Sequence, residues 1–129
     1  MAARKAGAAG ARRTAEVRGR RAEWVAAWFL RLKGYRVLAR RYRAPVGEID
    51  LIVRRGKLIA FVEVKARATL VEAVESVTPA GRRRVGRAAA AWLASHPAAG
   101  FDLRFDVVAL SRRRLPRHLP GAFDADGRA

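Results

Sequence analysis

Four acids and one amine stand out in this chain for where they sit. Glu48 and Asp50 interrupt a run of Ile, Leu and Val, and Glu63 and Lys65 alternate with Val62 and Val64 in a second apolar run. Carboxylates crowded together repel one another unless something positive stands between them, and a hard divalent cation with oxygen ligands is the economical answer. There is no cysteine, and His96 and His118 are the sole histidines, so thiolate and histidine-rich zinc sites are excluded. The expected cofactor is Mg2+ or Mn2+. On this reading Asp50 and Glu63 are the metal ligands, and the Val64 carbonyl is a third donor. The chemistry is phosphodiester hydrolysis, with Lys65 orienting or deprotonating the attacking water or steadying the pentavalent phosphate. Glu23, from an earlier helix, binds the metal through water or anchors Lys65. The plainer reading is that these charges are the polar side of a half-exposed hairpin.

The elements that position these groups follow from periodicity and breakers. Residues 1–13 are Ala, Gly and Arg without apolar spacing and read as a mobile basic arm. Thr14 caps a helix to about Lys33, with Gly34 as the stop. Its expected inner face is Ala22, Val25, Ala26, Phe29 and Leu32. Trp24 and Trp28 share a face at four-residue spacing, as core or partner packing or, more sharply, as a base-stacking or dimer contact. Tyr35 to Arg43 reads as an edge strand, broken by Ala44-Pro45-Val46-Gly47.

Glu48 to Arg54 and Leu58 to Lys65 form a hairpin about Arg55-Gly56. A two-residue loop there sets Glu48 opposite Glu63 and Asp50 opposite Phe61. It leaves Asp50 diagonal to Glu63 at roughly 7–8 Å, and Ile49 on an apolar face with Leu51 and Val53. Residues 66–77 carry weak signals. Thr78-Pro79 starts a second helix to about Ser95, with Val85, Ala88, Ala89 and Trp92 inward. Phe101 to Leu110 is a further strand, with Leu103, Phe105 and Val107 on one side; a short strand or turn comes next. The order α-β-β-β-α-β makes an α/β domain over 14–123, a central mixed sheet flanked by helices, and leaves 124–129 as a frayed tail.

Lys and Arg number 28 against 11 Asp and Glu, a net charge of +17. Such a field attracts polyanions and releases their counterions, so nucleic acid is the expected partner, DNA before RNA, and membrane is not. A homodimer stays open. The lack of cysteine, and of an apolar segment behind the basic start, makes the cytoplasm the expected compartment.

The stretches Gly47-Glu48-Ile49-Asp50-Leu51-Ile52 and Phe61-Val62-Glu63-Val64-Lys65-Ala66-Arg67 resemble the YraN-like family of the restriction-endonuclease-like superfamily, with its PD-(D/E)xK nuclease motif. Gly19 to Glu23, Leu103 to Val108 and Leu119 to Phe123 match its first helix, last core strand and terminal segment. The resemblance implies a likeness to Holliday-junction resolvases and hydrolysis of branched or structured DNA that leaves a 5′-phosphate. It places Asp50, Glu63 and Lys65 in the catalytic motif and Glu23 in the supporting acid position. One departure stands out: where relatives carry Lys or Gln near the second helix start, this chain has Gly81 and then Arg82, Arg83 and Arg84.

Those three arginines are expected to face phosphate, since positive charge at a helix start opposes the dipole. Arg67, two places beyond Lys65, is a further candidate phosphate contact. Asp106, in an apolar strand, is expected to pair with Arg104, and His118 to be an ordinary surface residue. The reading that competes with the enzyme is a non-catalytic nucleic-acid-binding module that keeps the nuclease fold.

Overall fold

The computed structural model describes residues 19–129. The expected basic arm over 1–13 and the Thr14 cap lie outside them. The first helix, α1, is described over 19–32 and ends where Gly34 takes a positive φ of 92°. Strands β1 (Arg36–Ala44), β2 (Gly47–Arg55) and β3 (Leu58–Ala66) follow. Helices α2 (Leu70–Glu75) and α3 (Pro79–Ser95) then lead into β4 (Asp102–Leu110) and β5 (Arg117–Phe123). The five strands lie in sequence order in one sheet. β3 and β4 are parallel, joined by the helical crossover, and every other pair is antiparallel. This is the expected mixed α/β sheet flanked by helices, consistent with a restriction-endonuclease-like fold.

Each face of the sheet has its own core. Ile52, Ile59, Phe61, Phe105, Val107 and Phe123 pack with Val85, Ala88, Ala89 and Trp92 of α3. On the opposite face Leu51, Val53, Ala60, Val62 and Val108 pack with Ala26, Ala27 and Leu30 of α1. The inward face of α3 is the expected one. That of α1 is rotated: Val25 and Leu32, expected inside, are exposed, and so are Trp24 and Trp28. Alanines at 26 and 27 let the helix backbone lie close over the sheet, which a stripe of larger side chains would hold away.

Two elements were not foreseen as they stand. α2 occupies the segment of weak signals, where the Thr69 hydroxyl accepts from the Glu72 N–H at 3.1 Å, an N-cap with an acid in the first turn. Residues 124–129, expected to fray, turn back onto α3: Asp124 Oδ1 accepts from the Asp126 and Arg128 amides, and the Arg82 guanidinium donates to the Gly127 carbonyl at 2.7 Å.

The hairpin register also differs. Arg55 pairs with Leu58 and Ile52 with Phe61, so the loop is Gly56-Lys57, one residue later than expected. Gly56 has φ 60° and Lys57 is not in the left-handed region, the pattern of a type II′ turn, which wants glycine first. Continuing this register carries Asp50 from a diagonal position to one level with Glu63.

Candidate active site

β1 and β2 both slip out of phase at the same level. Ile49 shares a core with Ile52 rather than with Leu51 and Val53, and Ala39 and Tyr42, also three residues apart, pack against that same core. Strict alternation forbids both pairs. Between them Arg41 takes φ 49°, a conformation that costs a residue with a Cβ about 1–2 kcal/mol. The kink turns Arg41 toward α1, where its Nε donates to Glu23 Oε2 at 2.8 Å. Glu23 therefore pairs with Arg41 and not with Lys65.

The β2–β3 ladder stops at Leu51–Val62. Beyond it the Asp50 carboxylate stands in for a strand carbonyl, its Oδ2 accepting from the Val64 N–H at 2.7 Å. In extended backbone the N–H and C=O of one residue face the same neighbouring strand, so the Val64 carbonyl also looks toward the β2 side. Glu63 Oε1 lies 3.3 Å from the Lys65 ammonium. Asp50, Glu63 and Lys65 are thus brought together by adjacent strands, with Glu23 within electrostatic reach of Asp50.

Charge at this end is unbalanced. Burial, together with the neighbouring Glu63, pushes the Asp50 carboxyl up to about 7 against the pull of the Val64 N–H. Burial also raises Glu63, partly offset by Lys65, and Glu23, partly offset by Arg41. Like charges brought close at a half-buried position repel, and an exposed ion pair returns little against that. Among the described residues no three histidine or acid side chains form a ready-made metal cage. The donors present are two carboxylates and a backbone carbonyl, hard oxygen ligands that fit Mg2+ or Mn2+ with water completing the shell.

A cleft of about 400 Å³ opens at this edge. Glu63 and Lys65 form one wall, Thr78, Gly81 and Arg84 from the start of α3 another, and Arg43 and Glu48 the rim. Asp50 is set back from the wall. Gly47 fixes the width: a Cβ there would run into the backbone carbonyl of Arg84, so only glycine lets β2 begin this close to α3. Thr78 caps α3, its Oγ1 accepting from Gly81 N at 3.0 Å.

Of the four arginines singled out in the sequence, Arg84 alone reaches the cleft. Arg82 and Arg83 face the C-terminal turn around Gly127. They form, with Arg87 and Arg128, the wall of a separate groove of about 720 Å³. Arg67 is exposed beyond β3 and donates to the Ala66 carbonyl. The sequence reading missed Arg43. Its signal was the Ala44-Pro45-Val46-Gly47 breaker, which is a tight hairpin with Arg43 directly opposite Glu48.

Asp106 is the buried ion-pair partner of Arg104, as expected, through Nε and Nη2 at 2.8 and 2.7 Å. His118, expected on the surface, is a second partner: its side chain is 3% exposed and Nε2 lies 2.7 Å from Asp106 Oδ2. The register Val108–His118 of β4 and β5 brings it there, which no local spacing shows. Burial would raise the Asp106 carboxyl, but the bonds from His118, Arg104 and the Gly121 N–H outweigh it and hold it at about 2. This network ties β5 to β4 and stands apart from the cleft.

The sequence profile of Uncharacterised protein family UPF0102 matches residues 22–110, which span every element from Glu23 to the end of β4. A UPF0102 protein of Methylorubrum extorquens (strain PA1) is 61% identical over 117 residues, 90% of this chain and 91% of that protein. One of Rhodopseudomonas palustris (strain BisB18) is 58% identical over 105 residues, 81% of this chain and 78% of the other. One of Chelativorans sp. (strain BNC1) is 52% identical over 115 residues, 88% and 93% of the two. On a match of this extent the chain belongs to the UPF0102, or YraN, family of the restriction-endonuclease-like superfamily.

Proposed function

We propose that the chain is a divalent-metal-dependent endonuclease that hydrolyses phosphodiesters in DNA, branched or otherwise structured. The observation that carries this reading is the Asp50–Glu63 pair, two half-buried carboxylates of adjacent strands whose mutual repulsion an ordinary structural role would not retain. Asp50, Glu63 and the Val64 carbonyl would hold Mg2+ or Mn2+, which would supply charge neutralisation at the phosphate and lower the pKa of a water. The Lys65 ammonium now sits beside Glu63 as its counter-charge. Freed from it, Lys65 directs the attacking water at phosphorus or steadies the charge of the pentavalent phosphate. Water adds to phosphorus and the bond to the 3′ oxygen breaks, leaving a 5′-phosphate and a 3′-hydroxyl. Arg84 and Arg43, on two sides of the cleft, hold the flanking phosphates, and Glu23 with Arg41 braces the kinked strand behind Asp50. Arginines bound to phosphate read shape rather than sequence. Arg82 and Arg83 face DNA from the separate groove, and Arg67 from the exposed end of β3.

The test is incubation with labelled branched and linear DNA, in Mn2+ and in EDTA. Cleavage is expected in Mn2+ alone, with Asp50→Ala lowering the rate by on the order of 10³-fold or more while DNA is still bound. Equal products from wild type and Asp50→Ala sink the proposal. A second reading, a binding module that keeps the fold without turnover, draws on the pairing of Glu23 with Arg41 and Glu63 with Lys65. It expects DNA binding and no cleavage of any substrate.

A further inference from the structure

The solvent side of α1 is more apolar than a surface helix requires. Trp24, Trp28 and Leu32 follow one another at four-residue spacing along one stripe, 57%, 48% and 84% exposed. The side against the sheet carries Ala26, Ala27 and Leu30. The helix thus turns its largest rings outward, the reverse of what burial alone would select. Trp24 and Trp28 meet edge to face, centroids 6.3 Å apart, and the Arg31 guanidinium lies 5.1 Å above the Trp28 ring. Arg20 and Arg21, both exposed, come one turn earlier.

Charge decides the occupant. A second copy would bring the same arginines and another +17 against this stripe. A polyanion is drawn to it, and among polyanions nucleic acid alone also carries flat π faces that stack on indole. The stripe lies on the solvent side of the helix that covers the sheet face opposite α3, so it offers bases a surface separate from the phosphate contacts of the cleft. We propose that Trp24 and Trp28 form a stacking platform for unpaired bases, so that the preferred DNA carries a single-stranded stretch. The inference rests on nucleic acid being the partner, as in the function proposed above, and adds the structural class of the substrate. Paired bases inside a duplex have both faces already stacked, and only the two terminal pairs keep one open, so a blunt duplex binds mainly through phosphate contacts.

Tryptophan emission in EDTA, where nothing is cleaved, tests this directly. The third tryptophan, Trp92, is buried against His96 and serves as an internal reference. Oligo(dT) is expected to quench the emission, and a blunt duplex to bind with little quenching. The Trp24→Ala/Trp28→Ala chain, its fold checked by circular dichroism, should bind oligo(dT) about ten-fold or more weaker and the duplex within about two-fold. Trp24→Phe/Trp28→Phe should recover most of the loss. Unchanged affinity for oligo(dT), or an equal loss for both probes, overturns the platform. So does a wild-type dimer that the alanine variant dissolves. If wild type binds neither DNA, the nucleic-acid reading itself falls. If Mn2+-dependent cleavage of branched DNA persists with the alanine variant at full rate and affinity, the platform alone falls.

Discussion

Asp50 and Asp106 are half-buried and buried aspartates whose carboxyls move in opposite directions, and the difference is in what faces each. Asp106 meets a guanidinium, an imidazole and an amide N–H, and is held at about 2. Its share of stability is therefore full above the usual carboxylate range and fades only as pH falls toward 2. Asp50 meets Glu63 and a single N–H, and is raised to about 7. Between the usual carboxylate range and about 7 the unfolded chain has released a proton that the folded chain keeps, so rising pH weakens the metal-free fold; Glu63 acts in the same direction. A cation at the pair removes that penalty. The melting temperature should rise on addition of Mn2+ at about pH 8, and little at about pH 5, where Asp50 is protonated and binding must displace its proton. Equal shifts at both pH values by differential scanning fluorimetry would leave Asp50 without a role in holding metal.

At the scale of elements, the site depends on how closely β2 begins beside α3. Gly47→Ala drives a methyl group into the Arg84 carbonyl, with a strain of about 1–3 kcal/mol and a displaced first turn of α3. Both the denaturation midpoint and the cleavage rate should drop; an unchanged midpoint would mean the approach is not tight. The acids were legible because charge in an apolar alternating run is rare and easily seen. Their pairing was not, since it turned on whether Gly56 takes the first or second place in the loop. The Ile49 side was missed for a different reason. Its shift follows from Arg41 in a left-handed conformation, which nothing in an arginine announces. For α1 the pattern offered two stripes, and close packing chose the alanines over Val25 and Leu32, leaving Trp24 and Trp28 outside. α2 did carry a signal, Thr69-x-x-Glu72 in the form of a capping box.

Across the whole molecule the basic charge that was plain in the composition is distributed unevenly by the fold. Arg84 and Arg43 go to the cleft, Arg82, Arg83, Arg87 and Arg128 to a groove beside the C-terminal turn, and Arg20, Arg21 and Arg31 to α1. Among the described residues no helix is long and apolar enough to cross a membrane. β1 is an outermost strand of the sheet, and Arg36, Arg40 and Arg43 are exposed along it. Like charges there disfavour pairing of that hydrogen-bonding edge with the same edge of a second copy. That protection lasts only while the arginines are uncompensated. Long DNA added to a concentrated solution should make it turbid near the ratio where phosphate and protein charge cancel, and salt at several times the physiological level should clear it. Handling of the purified chain thus hinges on its polyanion load as much as on its core.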